Sequence, residues 1–228
     1  MTQTTLICFF EYKGFKNKWQ ALGRMGRPPI SLSNTNGLTF FKPLGTGSGN
    51  GFSIKPDFST FGFVAVFKTE EQAKKFTFSN DLKQYKKTAT NFSIVFMKTI
   101  KSHGKWSKKN PFKSSVELNK SKPLAVITRA TIKPKLAYKF WKNVPEVSKS
   151  MDHYKELVYS KGIGEFPLLM QATFSIWSSA DAMFNYAYSN PKHAEMVKKT
   201  RELNWYSEEL FARFEPYKVE GNLIPMFL

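Results

Sequence analysis

The 228-residue chain has little cysteine, little histidine and few acidic side chains. A single cysteine, Cys8, excludes a disulfide framework and any cysteine-cluster zinc or iron–sulfur site. Three scattered histidines with no nucleophile elbow give no basis for a Ser–His–Asp hydrolase. Apolar runs such as Phe61–Phe67 fall far short of a membrane-spanning helix. Met1 to Thr5 lacks a basic region ahead of an apolar run, so no secretory signal is expected and a soluble, cytoplasmic protein is. The run Gly45-Thr-Gly-Ser-Gly-Asn-Gly51 lacks Gly-Lys-Ser/Thr and is followed by Phe52, Ile54 and Pro56 rather than a helix. It reads as a flexible loop at a cavity mouth and not as a phosphate cradle.

Acidic residues number 17 against 35 Lys and Arg, a net charge of +18. The imbalance concentrates in residues 83–149, which hold 17 basic residues and only Glu117 and Glu146 on the acidic side. Such a field suits an anionic partner, either phospholipid head groups or an acidic protein, or else a solvated face. No zinc-finger, RNP-type or helix-turn-helix signature accompanies the lysines, so no nucleic-acid partner is expected.

What the chain has in quantity is apolar residues: 41% are hydrophobic and 22 are phenylalanine, ample for a packed core. The polar, Pro- and Ser-containing stretch 107–123 reads as a linker between residues 1–106 and 124–228. In the first half, strands are expected at Thr5–Tyr12, Leu38–Leu44, Thr60–Lys68 and Phe92–Ile100. Helices are expected at Phe15–Met25 and from an N-cap at Thr69 to about Lys87. In the second half, strands are expected at Leu124–Ile132, Leu157–Lys161, Leu168–Trp177 and Leu210–Tyr217. Helices are expected at Pro134–Asn143 and after Ser178-Ser-Ala-Asp181, with a loop over Gly162–Pro167. Both halves read βαββαβ. Phe40–Gly47 mirrors Val158–Gly164, and Phe61–Phe76 mirrors Leu169–Phe184. The expected fold is α+β: two tandem ferredoxin-like repeats whose bare sheet faces bury each other in a barrel-like pseudo-dimer.

His103 and His153 sit in polar contexts and are expected to be exposed. His193 differs, because Asn190-Pro191 is a helix start and His193, Met196, Val197 and Thr200 share one mostly apolar face. Burial and the helix N-terminus both favour the neutral ring, the form that binds metal. No second ligand stands at i±3 or i±4, so the choice lies between a core histidine and a single axial bond to haem iron. Arg129 is the candidate catalytic residue: it lies mid-strand in an apolar run and needs an anionic partner. A haem propionate or an iron-bound oxygen would serve, and so would a salt bridge to Glu165 or Glu208. Trp177 and Trp205 could line such a pocket or be plain core.

Several segments together resemble the spheroidene monooxygenase family of carotenoid-modifying enzymes. They are Leu44–Phe52, Gly104–Ser107 with Pro111-Phe112, Ile127–Pro134, Phe140-Trp141 with Val144–Glu146, Gly162–Leu169, Gln171–Trp177, Pro191–Ala194 and Trp205–Phe214. The resemblance covers nearly the whole chain and is densest in the second half. It implies an oxygen-dependent monooxygenase that forms a ketone at carbon 2 of an acyclic carotenoid, with haem b as cofactor and reduced ferredoxin as electron donor. It implies that His193, in the Pro-x-His-Ala match, is the iron ligand; Met196 and Val197, on its expected face, and Trp177 and Trp205 are the candidate haem-contact residues. An apolar, membrane-dissolved substrate would further suit peripheral membrane association. The chain departs from better-known members in being Lys-rich where they are Arg-rich and in its apolar tail, Leu223–Leu228. Haem enzymes of another reaction type, and a non-enzymatic haem or hydrophobic-ligand binder, are the alternatives.

Overall fold

The computed structural model describes residues 2–26, 30–49, 53, 55–142, 154–166, 168–190, 195, 198–200 and 202–227. Eight strands form one closed antiparallel barrel in the order β1-β3-β2-β6-β7-β5-β8-β4. They are β1 (Thr4–Glu11), β2 (Leu38–Gly47), β3 (Pro56–Phe67), β4 (Asn91–Gly104), β5 (Leu124–Ile132), β6 (Leu157–Phe166), β7 (Met170–Trp177) and β8 (Tyr206–Gly221). The named α-helices are α1 (Phe15–Gly26), α2 (Glu70–Thr77), α3 (Asn80–Lys87) and α4 (Ala180–Ser189).

The strand sequences follow from burial on two sides. Along β1, Ile7 and Phe9 enter the barrel interior while Leu6, Cys8 and Phe10 face outward beneath the helices. Both faces leave water, so β1 is apolar at nearly every position rather than alternating. Strand β8 differs: Leu210, Ala212 and Phe214 are buried while their neighbours stay partly exposed, giving a period of two. The interior is filled from both halves, with Phe9 against Tyr159 and Phe174 at 5.7 and 5.9 Å. Three outer clusters pack under helices. One lies beneath α1, α2 and α3, one beneath α4, and one gathers Ile132, Phe140, Trp141 and Trp205.

Several expected boundaries need correction. The helix expected to run from Thr69 to Lys87 is two helices. Thr69 caps α2 as expected, with its side chain accepting from the Gln72 N–H at 3.2 Å. Ser79, in extended backbone, then caps α3 by accepting from the Leu82 N–H. The glycine run is not a loop from Gly45 onward, because β2 continues to Gly47. Gly162 and Gly164 likewise belong to β6. A side chain at Gly164 would place its Cβ 2.7 Å from the Met170 carbonyl oxygen, so close strand approach demands glycine there. Strands β4 and β8 overrun their expected ends by several residues, as tilted strands closing a barrel require. Residues 107–123 carry no named helix or strand. They are nonetheless anchored: Phe112 is buried in the barrel core, and the Ser115 N–H donates to the Thr99 carbonyl.

Candidate functional site

The ends of several elements converge where β2 meets β6. Those strands pair only at Gly45↔Gly164 and Thr46↔Ile163 among the described residues. The opening beside this short seam is a cleft of about 280 Å³. Leu22 and Met25 of α1 form one wall, Pro56, Phe58 and Phe61 of β3 another, and Ile163, Phe166 and Leu168 the opposite side. The lining is mainly apolar, with Thr46, Ser53, Asp57, Glu165 and Gln171 as its polar exceptions. An apolar ligand surface with a few polar substituents matches such a lining.

All five are hydrogen-bonded, and the two charged ones are ion-paired. Asp57 accepts from the Lys161 ammonium at 3.0 Å and from the Ser59 N–H at 2.8 Å. Burial works to raise its pKa, but these contacts outweigh it and hold the carboxyl below its ordinary range. Tyr159, inside the barrel, has its phenol pushed well up by burial and then by the Asp57 charge, so it remains a neutral O–H.

Glu165 ties the cleft to the barrel interior. Its carboxylate accepts from Lys42 at 2.6 Å, from the Trp106 indole N–H at 2.7 Å and from Arg129 at 3.3 Å. The other terminal nitrogen of Arg129 donates to Glu208. Glu208 in turn accepts the backbone N–H groups of Ser107 and Lys108, at 2.9 and 2.6 Å, which fastens a turn with positive φ at both residues. Burial opposes ionisation of Glu208, yet the two backbone donors and the Arg129 guanidinium bring its pKa below the usual carboxylate range. Two cations and two carboxylates therefore form a charge-balanced cluster behind the cleft wall, with the Arg129 Nε left without a partner among the described residues. Arg129 is buried, and its partners are the two carboxylates its sequence setting offered.

The other expected residues disperse. Trp177 packs between the sheet and α4, stacked on Tyr186 at 5.0 Å, with its N–H donated to the Ser175 hydroxyl. Trp205 lies in a different cluster, edge-on to Phe140 at 5.7 Å, and its fully buried indole N–H has no partner among the described residues. The two tryptophans share no cluster. His193, Met196 and Val197 lie outside the described residues, as does His153. The helix α4 ends at Asn190, whose backbone is extended, and helical structure is present again at Glu195, 198–200 and 202–203. His103 is exposed as expected, on β4 and 5.5 Å from the Phe211 ring. Cys8 is fully buried beneath the helices, and burial pushes its thiol well above the ordinary value, so it does not offer a thiolate. Among the described residues no group of three or more His, Cys, Asp or Glu side chains is placed to hold a metal ion. None of the helices described is long and apolar enough to cross a membrane.

The expected cavity mouth at the glycine run is present, since Gly45 and Gly47 line the cleft, but sequence reasoning missed the facing wall on β6. Its signal was present, since the mirrored segments Phe40–Gly47 and Val158–Gly164 contain the two glycines that face each other across the seam.

No protein-family model matches the chain. It is 33% identical over 215 residues to a spheroidene monooxygenase of Cereibacter sphaeroides, a match spanning 93% of this chain and 66%, just under two thirds, of that protein. A spheroidene monooxygenase of Rhodobacter capsulatus is 31% identical over 219 residues, spanning 95% of this chain and 91% of the relative. Among solved structures, aldoxime dehydratase superposes with a TM-score of 0.63 at 13% identity, over 95% of this chain and 82% of that one. That likeness speaks to the fold alone.

Proposed function

The chain belongs to the spheroidene monooxygenase family, and on that premise we propose that it is a carotenoid monooxygenase acting on an acyclic substrate. The observation that carries the reading is identity sustained along nine tenths of the Rhodobacter relative. The apolar seam cleft supports it, since a polyene presents a long, narrow, apolar surface. Each round of oxygenation consumes one O₂, two electrons and two protons, inserts one oxygen atom into a C–H bond at carbon 2 and releases the other as water. A second round at that carbon gives a geminal diol, which loses water to leave the ketone.

Haem b is the proposed cofactor, His193 its proposed iron ligand, and Met196 and Val197 are proposed to contact it. The described residues fit this group at one point: the Trp205 indole N–H, without a partner among them and in apolar surroundings, is a donor that a propionate would satisfy. When bound, haem supplies dioxygen activation. Trp205 would hold and orient the group, and Phe140 and Trp141 would keep water from it. Arg129 has both terminal nitrogens engaged by carboxylates, so its role is to fix Glu165 in the cleft wall. A reduced ferredoxin is the proposed electron donor, docking on the basic 83–149 stretch, where charge sets encounter rate.

The two halves are further proposed to be tandem ferredoxin-like repeats. Each supplies four neighbouring strands in equivalent order, β4-β1-β3-β2 and β8-β5-β7-β6, which supports the reading.

Expression in a carotenoid-producing host tests the activity. An oxygen-dependent pigment change to a ketone is expected, and unchanged pigment with soluble, folded protein would overturn the proposal. His193→Ala is expected to abolish stoichiometric haem binding while circular dichroism stays native. A folded His193→Ala protein with an unaltered Soret band would remove His193 as ligand.

A further inference from the structure

Helix α1 carries an aromatic pair that the cleft does not use. Phe15 is 81% exposed and Trp19 is 65% exposed, and their rings stack 6.1 Å apart at 17°. Their spacing of four residues puts them on one helical face, and Leu22 continues that face into the cleft wall. The Lys18 ammonium donates to the Ser59 hydroxyl at 2.7 Å, which fixes this part of α1 beside the strand that carries Phe58. Phe58 is itself 55% exposed, and Phe166 across the cleft is 57% exposed. An apolar rim thus runs from the helix around the cleft mouth. The charge that α1 itself carries has one sign: it contains Lys16 and Lys18 and no acidic residue, Arg24 turns inward over the Tyr85 ring, and Lys13 just before the helix is exposed.

We propose that α1 is an interfacial docking helix that inserts Phe15 and Trp19 into an anionic lipid bilayer and sets the cleft mouth against it. An amphipathic helix with aromatic residues on one face and lysines at its margins lies in the plane of the head groups. Tryptophan suits that depth because its ring is apolar and its N–H can meet water. The lysines complement anionic lipid, an attraction confined to about a Debye length of the surface. A protein partner would more commonly present carboxylates around an aromatic pocket, and it is an outcome of the test. The role of the surface in substrate delivery rests on the proposed carotenoid activity; the lipid docking does not.

Trp19 provides its own reporter, because Trp106, Trp141, Trp177 and Trp205 are all buried. Vesicles of phosphatidylcholine with phosphatidylglycerol should cosediment with the full chain at low salt, shift its tryptophan emission to the blue and shield it from acrylamide. Trp19→Phe should keep the cosedimentation and lose the shift. The double variant Phe15→Ser/Trp19→Ser should lose about tenfold or more in vesicle affinity, and Trp19→Ser alone a smaller part. Native circular dichroism is the control for both. Unchanged affinity in the double variant would overturn the proposal and leave the lysines of 83–149 as the attraction. Absence of a blue shift, or a double variant altered in oligomeric mass but not in vesicle binding, would overturn it as well. Conversion of carotenoid in detergent micelles should survive the double variant, while conversion from vesicles should fall. Wild-type protein that binds vesicles but converts carotenoid in neither medium would sink the activity and leave the docking intact.

Discussion

The halves of the barrel meet along two seams of unequal strength. Strands β4 and β8 pair at eleven register positions, from Ser93↔Gly221 to Gly104↔Leu210, whereas β2 and β6 pair at two. A closed barrel needs every strand to have two neighbours, but it does not need every contact to be equally long. The long seam carries closure, and the short one is left to form a cleft. Side chains replace the missing ladder there, with Lys42 of β2 reaching Glu165 of β6. Pro43 brings no N–H to β2, and glycines stand opposite each other at the crossing point.

The largest expected effect comes from emptying the long seam. Phe214 of β8 faces Thr99 of β4 and Ala125 of β5 and meets the Phe112 ring at 5.0 Å. Phe214→Ala should cost about 3–5 kcal/mol of unfolding free energy, the range for a large buried aromatic. Urea denaturation checks this. A loss near 1 kcal/mol would show that the interior collapses around the cavity and that the long seam is not the main support.

Breaking the cluster at the short seam should cost less. Arg129→Ala leaves Glu165 and Glu208 with Lys42 as the remaining cation of the set. Removing one partner of a fully buried pair costs about 3–5 kcal/mol, but both carboxylates keep some solvent, so about 2–3 kcal/mol is expected. If Arg129→Met proves as stable as the parent protein, the cluster serves geometry at the cleft wall rather than stability.

The difference between the seams also explains what the sequence disclosed. Strand β5 matches its expected span, Leu124–Ile132, because apolar residues inside and outside the barrel make one continuous run ending before a proline. The caps at Thr69 and Ser179 were readable from local chemistry. Ser79 was not, since the helical pattern continues across it and the break appears only in the backbone. Glycine suggested loops at 45–47 and 162–164. A glycine in a strand and a glycine in a turn look alike in sequence; only the neighbouring chain, at van der Waals distance, distinguishes them. Arg129 announced its need for an anion, and Glu165 and Glu208 were nameable as partners. Nothing local could show that Trp106 and Lys42 would join them, because those contacts cross 59 and more than 100 positions of chain.

Acid should weaken the short seam first. The folded-state pKa of Glu208 is depressed, so its contribution is complete above the ordinary glutamate range and is lost as pH falls through the lower folded value. Asp57 at the cleft behaves in the same sense. Stability should therefore fall as pH drops below about 4, and Glu208→Gln should flatten that decline while lowering stability at neutral pH. Denaturant midpoints across the acid range read both. An acid limb as steep in Glu208→Gln as in the parent would assign the loss to other carboxylates.

The smallest stability effect is expected at the crossing glycines, where the two sides of one contact differ. A Cβ at Gly45 would lie 3.1 Å from the Met25 sulfur, the end of a flexible side chain that can move. A Cβ at Gly164 would lie 2.7 Å from the Met170 carbonyl oxygen, held in the β6–β7 ladder. Gly45→Ala should change stability by less than about 1 kcal/mol, and Gly164→Ala should cost more, about 1–3 kcal/mol, the range for overpacking. Gly45→Ala also displaces Met25 within the cleft, so its effect should appear in substrate use: a several-fold rise in KM for carotenoid with unchanged unfolding. Equal stability losses for the two alanines would mean that the short seam is as rigid on its helix side as on its strand side. In that case the cleft could not admit a ligand by movement of Met25, and entry would have to come from the Phe58 and Phe166 side.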